Sequence, residues 1–247
     1  IWRSVAGLAG ALILVLVSSH IVGRLAERGR PDLQGWVFSG VGGGIAIAGL
    51  GAVAIMTAGT ESSVGWLIFG LATLVVGVAI CLLAGPELPG APPARRLPGR
   101  RHSPLNWGIV IAYGTFGMGY IIPATYLPVM ARATVTDPLI FGWAWPVFGA
   151  AAFLSTILAA RLQPRFSNRQ VWVASQLVLA FGLVLPAIHP TIMTIQIAGL
   201  CVGGTFMIIT MVGLKEAHRL APVEDVVRHI GAMTAAFATG QMVGPVF

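Results

Sequence analysis

The chain has 247 residues, of which 56% are apolar and 9% charged, and its net charge at pH 7 is +7. Soluble domains carry about 25% charged residues and disordered chains few apolar ones, so the composition excludes both. What remains is a chain whose main solvent is lipid.

Crossing a bilayer takes about 20 apolar residues. Segments of that length are predicted as membrane helices near Val5–Gly23, Trp36–Ala58, Val64–Ala84, Trp107–Ala131, Leu139–Ala160, Val171–Ile188, Ile192–Leu214 and Val226–Phe247. Ile1–Ser19 has the outline of a signal peptide, but no Ala-x-Ala site follows it and further spans do, so it reads as a membrane helix. The chain begins at Ile1 and stops just after Gly244-Pro245, which reads as the middle of a longer protein. Arg3 lies some twenty residues from the inner end of its helix, a rise of about 30 Å. It either snorkels to the outer interface or enters a central cavity, where it would hold an anionic group.

Arg24, Arg28 and Arg30 follow the first span. Arg95, Arg96, Arg100 and Arg101 follow the third, Arg161, Arg165 and Arg169 the fifth, and Lys215, Arg219 and Arg228 the seventh. If these loops are cytoplasmic, only Arg3 and Arg132 among the 15 basic residues are not, which fixes the orientation by the positive-inside rule. The basic charge then faces anionic lipid, and no basic stripe with interleaved aromatics suggests nucleic acid. Gly85–Asn106 holds Pro86, Pro89, Pro92, Pro93, Pro98 and Pro104 together with four arginines. It cannot be helical and has little to bury, so it is predicted as a cytoplasmic linker between two bundles, 1–84 and 107–247.

Trp107–Ala131 is the span richest in polar and aromatic groups. Tyr113, Phe116 and Tyr120 share one helical face. Pro123 and Pro128 should break or kink the helix toward its outer end. Tyr113 and Tyr120 are candidate substrate-binding residues facing a central cavity. Tyr126, Trp143 and Trp145 sit nearer the interface and read as belt anchors. Gln241, beside Gly240 deep in the last span, needs a partner for its amide and joins the candidates with Arg3. Cys81 and Cys201 lie in separate spans and read as packing residues. Every Asp and Glu falls in a loop or at a helix end, and His20, His102, His189, His218 and His229 lie near interfaces without metal-ligand spacing. Gly40-Val-Gly-Gly-Gly44 and Gly203-Gly204 lack the Lys of a phosphate loop and read as close helix contacts. No cofactor, metal or catalytic constellation is expected, which argues against an intramembrane enzyme.

At an offset of 191 residues, Arg24, Arg28, Pro31, Gly40 and Gly49 fall on Lys215, Arg219, Pro222, Gly231 and Gly240. This is a parallel repeat of the kind transporters use.

Several motifs carry a resemblance to the major facilitator superfamily. Arg3-Ser-Val-Ala-Gly7 is similar to its fourth-helix motif. Pro164-Arg-Phe-Ser-Asn-Arg-Gln170 resembles its Asp-Arg-x-Gly-x-Arg-Arg loop, with Pro for the Asp and Ser for the Gly. Gly231-x8-Gly240-x3-Gly244-Pro245 resembles its antiporter motif, placed on the eleventh helix; on the fifth only Gly40 and Gly49 match, with Val53 where a Gly would stand. Tyr113-Gly-Thr-Phe-Gly-Met-Gly-Tyr120-Ile-Ile-Pro-Ala-Thr-Tyr-Leu-Pro128, Val202-Gly-Gly-Thr-Phe-Met207 and Gly240-Gln-Met-Val-Gly-Pro245 resemble the bacterial YbfB/YjiJ-type branch. The resemblance implies an all-α, two-bundle membrane fold in which this chain supplies helices four to eleven of twelve. It implies a monomeric secondary transporter of the bacterial inner membrane that moves a small molecule by alternating access, with protons a candidate coupling ion. The alternative is a receptor or sensor that binds on the same fold without transport.

Overall fold

The computed structural model describes residues 7, 9–10, 12–13, 16, 20–21, 23–25, 27–84, 102–134, 142–162 and 165–246. Among them there is no strand. Seven long helices follow one another: α1 (Gln34–Thr57), α2 (Ser62–Ala84), α3 (Trp107–Thr134), α4 (Ala144–Leu162), α5 (Asn168–Ile188), α6 (Ile192–Leu220) and α7 (Val226–Val243). Each answers to a predicted span. The described residues between Gly7 and Glu27 are also helical. Arg3 and the linker stretch Gly85–Arg101 lie outside the described residues. Among the described residues six helices, α1 to α6, are long and apolar enough to cross a membrane. The 18-residue α7 is more polar, since it carries Arg228, His229, Thr234, Thr239 and Gln241.

Local chemistry sets several boundaries. Helices α5 and α6 both open in capping boxes, Ser167 with Gln170 and Thr191 with Thr194, which satisfy main-chain donors at their starts. Helix α6 runs six residues beyond the predicted end because its last turns satisfy their own polar groups. His218 Nδ1 donates to the Leu214 carbonyl at 2.9 Å, and Arg219 grips Glu216 through two bonds of 2.9 and 2.6 Å. Of the break or kink expected at Pro123 and Pro128, a break does not occur, for α3 continues to Thr134. A proline removes a single main-chain donor, and Pro123 is buried against neighbouring helices that hold the rest of the ladder in place.

The main packing pairs are α1 with α4, α3 with α7, α5 with α6, and α4 with α6. Helix α6 is central: Ala198, Ile209, Met211, Val212 and Ala217 have no exposed surface. Helix α2 is the opposite case, with Leu71, Leu74, Val75, Leu82 and Leu83 all exposed; these are side chains suited to lipid contact. Helix α1 lies against α4 and α6, both of which follow the linker in sequence.

In lipid, helices gain little from burying apolar surface against one another, and close approach of small residues does more. On α1, Gly35, Gly42 and Gly49 recur every seventh residue and meet α4. A Cβ on Gly49 would lie 2.7 Å from Pro146 N, and one on Gly149 would lie 2.7 Å from the Gly42 carbonyl oxygen. Helices α3 and α7 approach in the same way, with a Cβ on Gly240 falling 2.7 Å from Met118 N. Two glycine pairs of the 191-residue offset therefore share their character. Gly49 and Gly240 are helix contacts, while Gly40 and Gly231 have no described atom within 4 Å of a Cβ.

Candidate substrate-binding site

Four helices bring aromatic rings together mid-span. Helix α3 supplies Tyr113, Phe116 and Tyr120, α4 supplies Phe148, α6 supplies Phe206, and α7 supplies Phe237. Tyr120 stacks on Phe206 with centroids 4.3 Å apart and planes inclined by 22°. Phe116 lies 5.9 Å from Phe206 and 5.2 Å from Phe237. Phe148 reaches both Tyr120 and Phe206, at 6.4 and 6.2 Å. Such offset and tilted pairs add to the area they bury.

The two tyrosines play different parts. Tyr113 is only 5% exposed. Its ring sits edge-on to Trp172, centroids 6.3 Å apart, in space left by Gly213, whose Cβ would fall 3.0 Å from the ring. Its hydroxyl pairs with the Thr210 side chain, and Thr210 donates to the Phe206 carbonyl at 3.0 Å. Tyr120 is half-buried, and no hydrogen bond to its hydroxyl occurs among the described residues. The shared helical face of α3 thus runs from a satisfied, buried phenol to an unsatisfied, partly open one. Gln241 is half-buried on α7, next to the glycine that presses α7 onto α3. None of the described hydrogen bonds engages its amide. Arg3, the remaining candidate, lies outside the described residues. The structure therefore joins Tyr113 and Tyr120 through one aromatic cluster. Phe148, Phe206 and Phe237 belong to that cluster and were not singled out from sequence, because an isolated Phe in an apolar span carries no signal of its own.

A second polar cluster pins the start of α3 to the start of α7. Asp225 is 3% exposed. Its carboxylate accepts from His102 Nδ1 at 2.6 Å and from the amide and hydroxyl of Ser103 at 2.7 Å each. The His102 bond, then those from Ser103, hold this carboxyl far below the usual carboxylate range. Arg228 Nη2 donates to the Ser103 carbonyl at 2.6 Å. His229, also buried, uses Nδ1–H on the Asp225 carbonyl at 3.0 Å and accepts from the Asn106 amide at 3.4 Å on Nε2. These contacts fit a neutral ring with its proton on Nδ1. Glu216 is likewise buried and is held by Arg219 and by Asn168 Nδ2 at 3.5 Å. The sequence placed Asp225 and Glu216 at helix ends; the structure buries both there, each in a full set of donors. No group of His, Cys, Asp and Glu among the described residues could hold a metal ion.

A family model described as "Uncharacterised MFS-type transporter YbfB" matches residues 1–247. Comparison with curated proteins and with solved structures gave no match.

Proposed function

The chain belongs to this transporter family of the major facilitator superfamily, and on that premise we propose that it is a secondary active transporter. It would carry a small molecule across a bacterial inner membrane by alternating access between two bundles, 1–84 and 107–247, joined by the linker 85–106. The family match over the whole chain carries this reading, since it supports membrane transport directly. The close α1–α4 contact through Gly35, Gly42 and Gly49 adds physical support. Faces built from small residues can shift past one another without breaking interhelical hydrogen bonds.

The proposed site is the wall around Tyr120, with Tyr113 behind it, Gln241 on α7 and Arg3 on the other bundle. Tyrosine presents an apolar body and a polar tip, which suits a site of mixed polarity. Coupling to protons would need a carboxyl group able to change its charge. Asp225 is unsuited to that task, because its donors keep it ionised.

The test is a counterflow assay on the intact protein in proteoliposomes, with a preloaded candidate compound and its labelled form outside. Transient uphill accumulation of label marks a carrier. Saturable binding without exchange would mark a receptor on the same fold and would refute the transporter reading.

A further inference from the structure

We infer that Gln34 is a built-in release for the seam between α1 and the helices beyond the linker. Its amide oxygen is stripped of hydrogen bonds while the seam is closed and regains water when the seam parts. The inference rests on the transporter reading for the movement it serves. Three observations lead to it.

The first is burial without a partner. Gln34 is 4% exposed, and its Oε1 is buried with no hydrogen bond. A buried acceptor left in this way keeps the full cost of losing water, and such groups are few in folded proteins. The second is position. Gln34 is the first residue of α1, and Phe38, one turn along the same face, is also buried. This end of α1 lies close on α4: a Cβ on Gly35, the next residue, would fall 3.3 Å from the Thr156 carbonyl oxygen. Helix α6 packs on α1 as well. The oxygen is therefore dry only while α1 stays against these neighbours. The exposed Asp32 lies two residues before it, so parting the helices here admits water from the loop.

The third is the lack of an answering donor among the described residues. Ser39 and Thr156, both buried in the seam, donate to the Trp36 and Ala152 carbonyls of their own helices. Thr205 of α6 does the same to the Cys201 carbonyl at 2.7 Å. Arg30, the cation just before α1, is turned to Asp32 by bonds of 3.2 and 3.3 Å. Closing the seam thus brings no bond that replaces the lost water. Glycine contacts favour closure and the stranded oxygen opposes it, which draws the closed and parted arrangements closer in free energy.

The experiment places spin labels at Trp36 on α1 and Leu158 on α4, both exposed. It uses the intact protein in lipid nanodiscs, with Cys81 and Cys201 replaced by alanine. Double electron–electron resonance should resolve a short distance for the closed seam and a longer one for the parted seam. Gln34→Met has a similar length and lacks the amide, and should raise the ratio of short to long about fivefold or more. Gln34→Glu puts a charge in the same place and should lower that ratio about fivefold or more. Ser39→Ala removes a hydroxyl that its own helix already satisfies, and should leave the ratio within about twofold of the parent.

The two Gln34 variants act in opposite directions, so a general loosening of the fold cannot imitate both. The inference is overturned if either leaves the parent's ratio unchanged or moves it the other way; an unmoved ratio would mean that the closed seam already satisfies the amide. Counterflow separates this failure from failure of the transporter reading. Exchange by the parent, with distances that Gln34→Met and Gln34→Glu leave in place, would leave a transporter and remove the release. Distances that shift as expected, in a protein that binds without exchange, would leave the release and remove the transporter.

Discussion

Replacing Gly42 by alanine tests whether α1 and α4 meet as backbone against backbone. The added methyl would collide with Phe153 N and lie 2.8 Å from the Ala152 carbonyl carbon and 2.9 Å from the Gly149 carbonyl oxygen. All three are main-chain atoms, so no rotamer change can make room and the helices must move apart. Overpacking of this kind costs about 1–3 kcal/mol. The helix-propensity gain of Gly→Ala, about 1 kcal/mol, works against it. Gly44 is the internal control, since nothing described lies within 4 Å of its Cβ; Gly44→Ala keeps the propensity gain with no collision. The first variant should therefore be less stable than the second by about 1–3 kcal/mol. Equilibrium unfolding in mixed dodecyl maltoside and SDS micelles, followed by helical circular dichroism, measures that difference. Equal stability of the two variants would refute the close approach of α1 and α4 at this level.

Three further outcomes follow from named contacts. Tyr113→Phe removes a buried hydroxyl paired with Thr210 and should cost about 1 kcal/mol in the same unfolding assay, whereas Tyr120→Phe should leave stability unchanged and alter counterflow. The reverse pattern would exchange their roles. Asp225→Asn should lower the melting temperature at neutral pH. The carboxyl of Asp225 is depressed in the folded state, so its contribution is complete above the unfolded carboxylate pKa of about 3.9. It fades as the pH falls toward the lower folded value; the parent should lose stability over that acid range and the variant should lack that component. A melting temperature that Asp225→Asn leaves unmoved at neutral pH would contradict the network. For orientation, a cysteine at Leu97 in the linker should resist a membrane-impermeant thiol reagent in intact cells and react in inverted vesicles. Position 103 is a poor probe, since Ser103 is engaged by Asp225. Labelling from outside would invert the topology.

The helices were legible in sequence because each depends on a local property, a run of apolar residues about as long as a bilayer is thick. Their ends were less so. The extension of α6 past Leu214 depends on Arg219 reaching Glu216, and the run of α3 through Pro123 depends on what surrounds it. The candidate site was half legible. Tyr113 and Tyr120 stood out as polar aromatics on one face, and both lie in the aromatic cluster. That one is buried and satisfied while the other is open depends on Thr210 and Gly213, about a hundred residues away in sequence. The bond from His102 to Asp225 spans 123 residues. No spacing rule reaches that far, and each residue alone looks like an ordinary loop polar group.

The two tight helix pairs differ in what holds them. Helices α3 and α7 are tied at both ends: His102 and Ser103 bind Asp225 at one, and Tyr126 Oη donates to the Pro245 carbonyl at 3.1 Å at the other. Across α1 and α4 no such tie appears among the described residues. Ser39 and Thr156, both buried there, donate to carbonyls of their own helices, Trp36 and Ala152. Parting α3 from α7 would leave a buried carboxylate without its donors, which is costly. Parting α1 from α4 would leave every hydroxyl satisfied and give up only van der Waals contact. If the bundles rock, the α1–α4 seam is where the least is lost, and α3 with α7 would travel as one unit carrying Tyr113, Tyr120 and Phe237. A disulfide that staples α1 to α4 should then stop counterflow until it is reduced, whereas one between α3 and α7 should leave it intact. Equal inhibition by both would place the movement elsewhere.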